Sequence, residues 1–563
     1  MREVSALGAG ARGGLYGAAP STRRACAVNL VPDLPFPKNE PEWAYRPGTP
    51  EHTALARALA DHEVVDIPTV IGGKDYFSND VVEVRSPHDK ARVVARIHRP
   101  TEAQHREAIE TAVRSAADWA KLPFQSRAAV MLRAAEIVGS DVRTRINAAT
   151  MLGQSKTIDQ SDPDAACELI DFLRFNVFYA QKLFREHPVS TAGAANRIDW
   201  RPLEGFVYAV SPFNFTAIGA NLSTAPALMG NGVVWKPSEK SALANYIFFR
   251  ALQKAGLPAG VINFVPADAA AMTRVALASP ELAGVHYTGS TAVFRSIWAG
   301  VGANMSNYRT FPRLVGETGG KGFVLAHPSA DVEVLAIALV RAAFEFQGQK
   351  CSAASRAYVP KSLWPALSRR IRERLAELPV GDVADPRTFM GAVIDKASFD
   401  RLSARLGAAQ SDAEITVIAG GTASDEVGWF VQPTVLETSN PRHALMHDEL
   451  FGPVLTVYPY DDASWPEMFA LIDETSPYAL TGSVFSPDPI ALNQASQALV
   501  NAAGNIYLND KPTGALIGQQ PFGGMRGSGT NDKAGSWMNM LRWTSPRTVK
   551  ETYVPPGTWT FGA

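Results

Sequence analysis

Gly232-Val-Val-Trp-Lys-Pro-Ser-Glu-Lys-Ser-Ala-Leu-Ala-Asn-Tyr-Ile-Phe-Phe-Arg-Ala-Leu-Gln-Lys-Ala-Gly-Leu-Pro-Ala-Gly-Val-Ile-Asn-Phe-Val265 is the stretch whose reading decides the fold. It opens on a short apolar run, Gly232 to Trp235, and closes on another, Val261 to Val265. Between them Ala244, Ile247, Phe248, Ala251, Leu252 and Ala255 recur at i, i+3, i+4 and i+7, the spacing of one helix face. Gly256 and Pro258 stop that helix. Strand, helix, strand with no room for a hairpin predicts parallel pairing. The pattern repeats around it, with apolar runs at Gly205 to Val210 and Gly284 to Tyr287, so an α/β domain on a parallel sheet is expected. Residues 101 to 185 read as helical, and a second α/β region is expected from about Glu317 to Val500, with a strand at Arg356 to Pro360.

With 563 residues the chain exceeds the size at which one core stops growing, about 250 to 300 residues, so two or three domains are expected. Lys plus Arg is 54 against 55 for Asp plus Glu, which gives no basic face for nucleic acid or anionic membrane and favours a small-molecule partner. No apolar run reaches the roughly 18 residues of a membrane span. The three cysteines, Cys26, Cys167 and Cys351, are widely spaced without a Cys-x-x-Cys pair, so neither a disulfide framework nor a metal site is suggested and a reducing compartment fits. Residues 1–27 carry four arginines and one acid, a composition shared by disordered extensions and mitochondrial transit segments. A cytoplasmic location is expected, or the mitochondrial matrix if that segment is a transit peptide. The prolines between 28 and 50 suggest a stiff arm laid over a surface.

Cys351, in Phe346-Gln-Gly-Gln-Lys-Cys-Ser352, follows an amphipathic helix for which Ser329 is the expected N-cap and Gly348 the expected stop. A thiol reacts as thiolate, and Lys350 or a bound cationic cofactor could supply that bias; the competing reading is a small buried apolar residue. Gly8, Gly10 and Gly13 match a phosphate-loop pattern, but no strand precedes them and no amphipathic helix follows, so the match is rejected. His286-Tyr-Thr-Gly-Ser-Thr291 is the better anion site, at a strand-to-helix turn. Lys236 and Glu239 lie just past a parallel strand, where a ribose could meet both and where the carboxylate would repel a 2′-phosphate. Asn214 in Val210-Ser-Pro-Phe-Asn-Phe215 offers an amide N–H to an oxyanion, or a helix cap. Glu317 in Leu314-Val-Gly-Glu-Thr-Gly-Gly-Lys321 is a candidate general base, or a surface turn residue.

Taken in order, Ser-Pro-Phe-Asn-Phe, Trp-Lys-Pro-Ser-Glu, Thr-Gly-Ser-Thr, Gly-Glu-Thr-Gly-Gly-Lys, Gly-Gln-Lys-Cys-Ser, Glu449-Leu-Phe-Gly-Pro453 and Gln-Pro-Phe-Gly-Gly resemble the aldehyde dehydrogenase superfamily over residues 40 to 555. Cys167-Glu-Leu-Ile-Asp-Phe-Leu-Arg-Phe-Asn176, Asn509-Asp-Lys-Pro-Thr-Gly-Ala515, Gly518-Gln-Gln-Pro-Phe-Gly-Gly524 and Leu541 to Glu551 look like its L-glutamate γ-semialdehyde (1-pyrroline-5-carboxylate) dehydrogenase branch. The resemblance implies a Rossmann-like NAD-binding domain (46–186 and 203–316) behind an extension and arm (1–45), and an α/β catalytic domain (317–500). It also implies a small β oligomerisation element (187–202 and 542–563) and a return segment (501–541).

The same resemblance implies that Cys351 attacks the aldehyde while Asn214 and the Cys351 N–H hold the oxyanion, hydride passes to NAD, and Glu317 activates water against the thioester. Ser211, Lys236, Glu239, Gly289, Ser290 and Glu449 would bind the dinucleotide, with Glu239 favouring NAD over NADP. Ser352 and the N–H groups of Gly514 and Ala515 would hold the substrate carboxylate, although some members have Ser where Ala515 stands. Glu168 would meet its ammonium, and Phe215 and Phe522 would wall its chain. A homo-oligomer of at least two subunits and a separate proline dehydrogenase are the implied partners, since the chain offers no room for such a domain ahead of residue 40. The rival readings are an aldehyde dehydrogenase for another substrate, such as succinate semialdehyde, against which the Thr513-Gly-Ala515 loop argues, and a catalytically silent scaffold.

Overall fold

The computed structural model describes residues 33–555 and 557–559, without the side chain of residue 141. The rejected glycine motif and the candidate transit segment lie outside those residues.

The decisive stretch folds as strand Gly232–Lys236, helix Ala242–Lys254 and strand Ile262–Phe264. Phe248 and Leu252 are fully buried, and Trp235 meets Phe248 and Phe264 edge-on, so one helix face seals the sheet. Each such large side chain contributes about 1.5–3 kcal/mol. The helix stops in a Schellman turn: Leu257 N–H donates to Leu252 O at 3.1 Å and Gly256 N–H to Gln253 O at 3.0 Å, with Gly256 at φ +93°.

The first sheet runs Arg313–Glu317, Leu282–Thr288, Phe206–Val210, Gly232–Lys236, Ile262–Phe264, then the antiparallel hairpin Thr69–Ile71 and Lys74–Tyr76. Its first five strands are mutually parallel. In chain order they stand 5-4-1-2-3, so the direction of winding reverses between Phe206–Val210 and Leu282–Thr288. Ligands of such sheets bind at the strand C-termini beside that reversal. The expected helical region forms Glu102–Trp119, Phe124–Ile137, Arg143–Gln154 and Glu168–Phe184 as its main helices.

The second sheet runs Ile415–Ala419, Thr434–Thr438, Val454–Tyr460, Ala354–Pro360, Gly322–Ala326, Thr481–Phe485 and Asn505–Leu508, parallel apart from its first pair. Glu317 is the last residue of the first sheet; five residues later Gly322 begins a strand of the second. Ala354 pairs with Gly322, so Cys351, three residues before Ala354, is carried to the edge where Glu317 leaves the first sheet. The strands Ala194–Pro202 and Thr544–Thr552 pair antiparallel along their whole length into a separate ribbon. Before the first helix, Pro50–Ala60, the arm lies against the helical region: Asn39 and Glu40 bond Asp171, and Trp43 and Tyr45 bond Asp162.

Candidate active site

The helix leading to Cys351 differs at both ends from expectation. Its N-cap is Asp331, whose carboxylate accepts from Val334 N–H at 2.9 Å; Ser329 is engaged instead with His327 and Ser486. The helix ends at Phe344, short of Gly348, because Phe346 (φ 51°), Gln347 (φ 56°) and Gly348 (φ 63°) form a left-handed turn. Non-glycine residues pay about 1–2 kcal/mol each for that conformation. Gln347 holds it: its Nε2 donates to Ser155 O at 2.9 Å and Ala392 O at 2.7 Å, and its Oε1 accepts from Gly391 N–H at 3.2 Å.

Cys351 follows this turn partly buried, its thiol pushed up to about 12 first by burial, then by the Glu449 and Glu317 carboxylates, against the pull of the Cys351 and Ser352 N–H groups. Lys350 does not supply the bias expected of it. Its ammonium lies 3.6 Å from Glu345 and 3.8 Å from Asp164 and is held by those acids. The resting thiol is therefore protonated at neutral pH.

Glu317 accepts from Gly524 N–H at 3.0 Å, and burial pushes its carboxyl well above the usual range. Glu449 accepts from Gly320 N–H at 2.7 Å and is raised to about 7 by burial. The approach is close enough to require glycine: a Cβ on Gly319 would stand 2.3 Å from the Glu449 carboxylate, and one on Gly320 2.1 Å from the Cys351 carbonyl. Asn214, buried, donates from Nδ2 to Gln349 O at 3.0 Å, which ties it to the nucleophile loop.

On the first sheet, Lys236 is only 7% exposed, yet its ammonium meets no hydrogen-bond acceptor among the described residues; burial lowers it, and Glu239 and Asp268 oppose that. A desolvated ammonium at a strand C-terminus suits a ligand hydroxyl. Glu239 instead accepts two hydrogen bonds from Arg99. Gly289 and Ser290 open the helix Thr291–Ala303 at the winding reversal, with Ser290 as its N-cap. Gly289 N–H donates to Glu317 O at 3.2 Å, so it is the first N–H groups of the helix itself, beyond Ser290, that suit a pyrophosphate. Ser211 differs from the expectation: its hydroxyl donates to Gly219 O and accepts from Trp235 Nε1, and its N–H donates to Lys236 O at 3.0 Å, so both are engaged within the protein. With that exception these residues fit a dinucleotide.

Around the other side of Cys351, Ser352 is buried, and its carbonyl accepts from Thr481 Oγ1. Gly514 and Ala515 sit on an open loop whose Lys511 ammonium bonds Thr513 O and Oγ1. Glu168 belongs to a buried cluster with Asp164, Lys156 and Lys350; burial and Asp164 hold its proton far above the usual range. Phe215 lies under the Lys156 ammonium, 3.9 Å from its ring centre, and Phe522 pairs with Ala534 beside Gly523 and Gly524. Arg99, Lys156, Asp164, Glu345, Lys511 and Gln347 were not singled out from sequence; only Gln347 and Lys511 fall inside a motif that was. Asp412, Glu414 and His443 form a surface grouping of metal-ligand type, but His443 already accepts from Leu445 N–H and bonds Asp412.

A probable delta-1-pyrroline-5-carboxylate dehydrogenase of Schizosaccharomyces pombe is 48% identical over 531 residues, 92% of this chain and 96% of that one. The human mitochondrial delta-1-pyrroline-5-carboxylate dehydrogenase is 47% identical over 526 residues, 93% of each. The crystal structure of the Mycobacterium tuberculosis delta-pyrroline-5-carboxylate dehydrogenase bound with NAD superposes with a TM-score of 0.91 at 48% identity, covering 95% of this chain and 99% of that one. Residues 76–549 match the model of the aldehyde dehydrogenase family, and the chain, with its cysteine and two carboxylates gathered where the two sheets meet, belongs to that family.

Proposed function

We propose that this protein oxidises L-glutamate γ-semialdehyde, the open form of 1-pyrroline-5-carboxylate, to L-glutamate, using NAD. The observation that carries the reading is the meeting of Cys351, Glu317 and Glu449 at one edge, with both carboxylates close enough to raise the thiol. The Cys351 thiol gives up its proton to solvent and the thiolate sulfur adds to the aldehyde carbon. The Asn214 amide and the Cys351 N–H then stabilise the oxyanion, each such donor lowering the barrier by about 2.7–4 kcal/mol. NAD, when bound, supplies the hydride acceptor that turns the thiohemiacetal into a thioester. Glu317, embedded beside Gly524, takes a proton from the water that attacks the thioester, and glutamate leaves while the thiol is restored. When NAD is bound, Lys236 and Glu239 would hold ribose hydroxyls, the turn at Gly289 and Ser290 the pyrophosphate, and Glu449 the second ribose. Ser352, Gly514 and Ala515 hold the α-carboxylate and Glu168 the ammonium, with Phe215 and Phe522 flanking the chain.

In this reading residues 46–186 and 203–316 bind the dinucleotide, 317–500 carry the chemistry and 501–541 return the carboxylate loop. The ribbon of Ala194–Pro202 and Thr544–Thr552, with exposed Trp298 and Phe311 near it, joins at least two subunits, which sedimentation tests; a monomer would refute it. A separate proline dehydrogenase supplies the substrate. A reducing compartment, cytoplasm or mitochondrial matrix, keeps Cys351 a thiol. NADH formation from pyrroline-5-carboxylate, compared with succinate semialdehyde and butanal, tests the substrate. The expected result is a kcat/KM at least about tenfold higher for pyrroline-5-carboxylate; preference for succinate semialdehyde would overturn the role of the 513–515 loop.

A further inference from the structure

Arg99 follows the strand Asp89–His98, the middle strand of a three-stranded sheet with Val65–Ile67 and Val81–Ser86, and it reaches across 140 positions of sequence to Glu239. Its Nε and Nη2 both donate to the same oxygen, Oε1, at 2.8 and 2.6 Å. Oε2 receives no hydrogen bond from the described residues. Both side chains are about a quarter exposed, 27% and 25%, so a ligand can reach the pair. Around it stand the buried ammonium of Lys236 and the carboxylates of Asp268 and Asp80. Two consequences follow from this asymmetry. The carboxylate is fixed by one oxygen and leaves the other to accept from a ribose 2′-hydroxyl. A guanidinium has five N–H donors, and three remain unspent a bond or two from where a 2′-phosphate would sit.

We propose that Arg99 is a cofactor-specificity residue: it orients Glu239 toward a free 2′-hydroxyl, and it is itself the phosphate-binding group that Glu239 masks. The proposal rests on the reading that the ribose lies at Lys236 and Glu239. Glu239 alone repels a 2′-phosphate by charge, but here that charge is shared with a guanidinium whose planar fork matches phosphate oxygens. Selectivity therefore resides in the pair: with the carboxylate neutralised, the same arginine favours the phosphorylated dinucleotide.

Isothermal titration calorimetry of the full-length protein with NAD, NADP and 2′,5′-ADP, in the absence of aldehyde, tests this directly. Glu239→Gln should tighten NADP and 2′,5′-ADP at least about tenfold and weaken NAD several-fold, and Arg99→Ala added to Glu239→Gln should abolish the gain. Arg99→Ala alone should weaken NAD about threefold to tenfold, and Arg99→Lys should restore only part of it, because a point charge cannot fix Oε1 through two donors. If the double variant binds NADP as tightly as Glu239→Gln, the role given to Arg99 is wrong while the ribose site stands. If Glu239→Gln changes neither NAD nor NADP affinity, the ribose lies elsewhere and both readings fall. Circular dichroism and the thermal midpoint of each variant establish that it is folded.

Discussion

A thiol pushed up to about 12 is almost wholly protonated at neutral pH, and the two carboxylates that help hold it there, Glu449 and Glu317, are the groups the proposed reaction needs nearby. Chemistry at Cys351 must then await a change in its surroundings, such as the positive charge of a bound nicotinamide. Cys351→Ala should lower NADH production at least about a thousandfold while NAD still binds by calorimetry, since the thiol acts in chemistry and the dinucleotide contacts lie elsewhere; appreciable residual turnover would remove the cysteine from its role. Glu449→Gln should make the thiol more reactive. Losing an adjacent anion lowers a thiol pKa, and because Glu449 titrates at about 7, the gain in iodoacetamide alkylation of Cys351 should be small at pH 6 and about threefold or more at pH 9. An equal effect at both pH values would mean that Glu449 does not face the sulfur electrostatically.

Between helix and nucleophile, three consecutive left-handed residues are stabilised by one side chain. Gln347→Ala strips hydrogen bonds from Ser155 O, Ala392 O and Gly391 N–H, all buried, at about 1–3 kcal/mol for each group left unsatisfied. The variant should lose about 2 kcal/mol or more of stability, seen as a lower thermal midpoint, and its kcat should fall more than its KM for NAD rises, because the turn aims Cys351 but lies away from the dinucleotide. The elements themselves were largely legible in the sequence. The unit Gly232–Val265 carries its apolar stripe and its Gly256 stop within a few residues of each other, so local rules suffice. The turn at Phe346 was not legible: glycine is the usual left-handed residue, and what permits Phe346 and Gln347 there are carbonyls at Ser155 and Ala392, far away in the chain. The cap moved from Ser329 to Asp331 for a similar reason, since His327 and Ser486 claim the serine hydroxyl. The charge of Lys350 is shared between Glu345, five positions before it, and Asp164, 186 positions earlier, and nothing in a motif reports a contact of the second range.

The whole molecule depends on buried groups that tie its parts together. His88 bonds Ser155, which in turn bonds Ala392 in the second α/β region, and burial lowers this histidine to about 4; His286, tilted against Trp543 with ring centres 4.5 Å apart, is lowered by burial to about 3. Both bind a proton more readily when unfolded, near the ordinary value of about 6.5, so stability present above that pH is lost as pH falls toward 4. The thermal midpoint should drop steeply from pH 6.5 to 4, and His88→Gln should flatten part of that slope; an unchanged slope would mean that His88 is not buried as a neutral ring. The site was more legible from the sequence than the forces around it, because Cys351, Glu317 and Glu449 stand in motifs, whereas Arg99, Lys156 and Asp164 meet their partners only once the chain is folded. The measurement that tests the account most directly is intact-protein and peptide mass spectrometry of Glu317→Gln, quenched in acid after mixing with NAD and pyrroline-5-carboxylate. The account predicts a burst of NADH and a glutamyl thioester accumulating on Cys351, because hydride transfer precedes the step that needs the carboxylate. A burst with no adduct, or an adduct on any other residue, would contradict it.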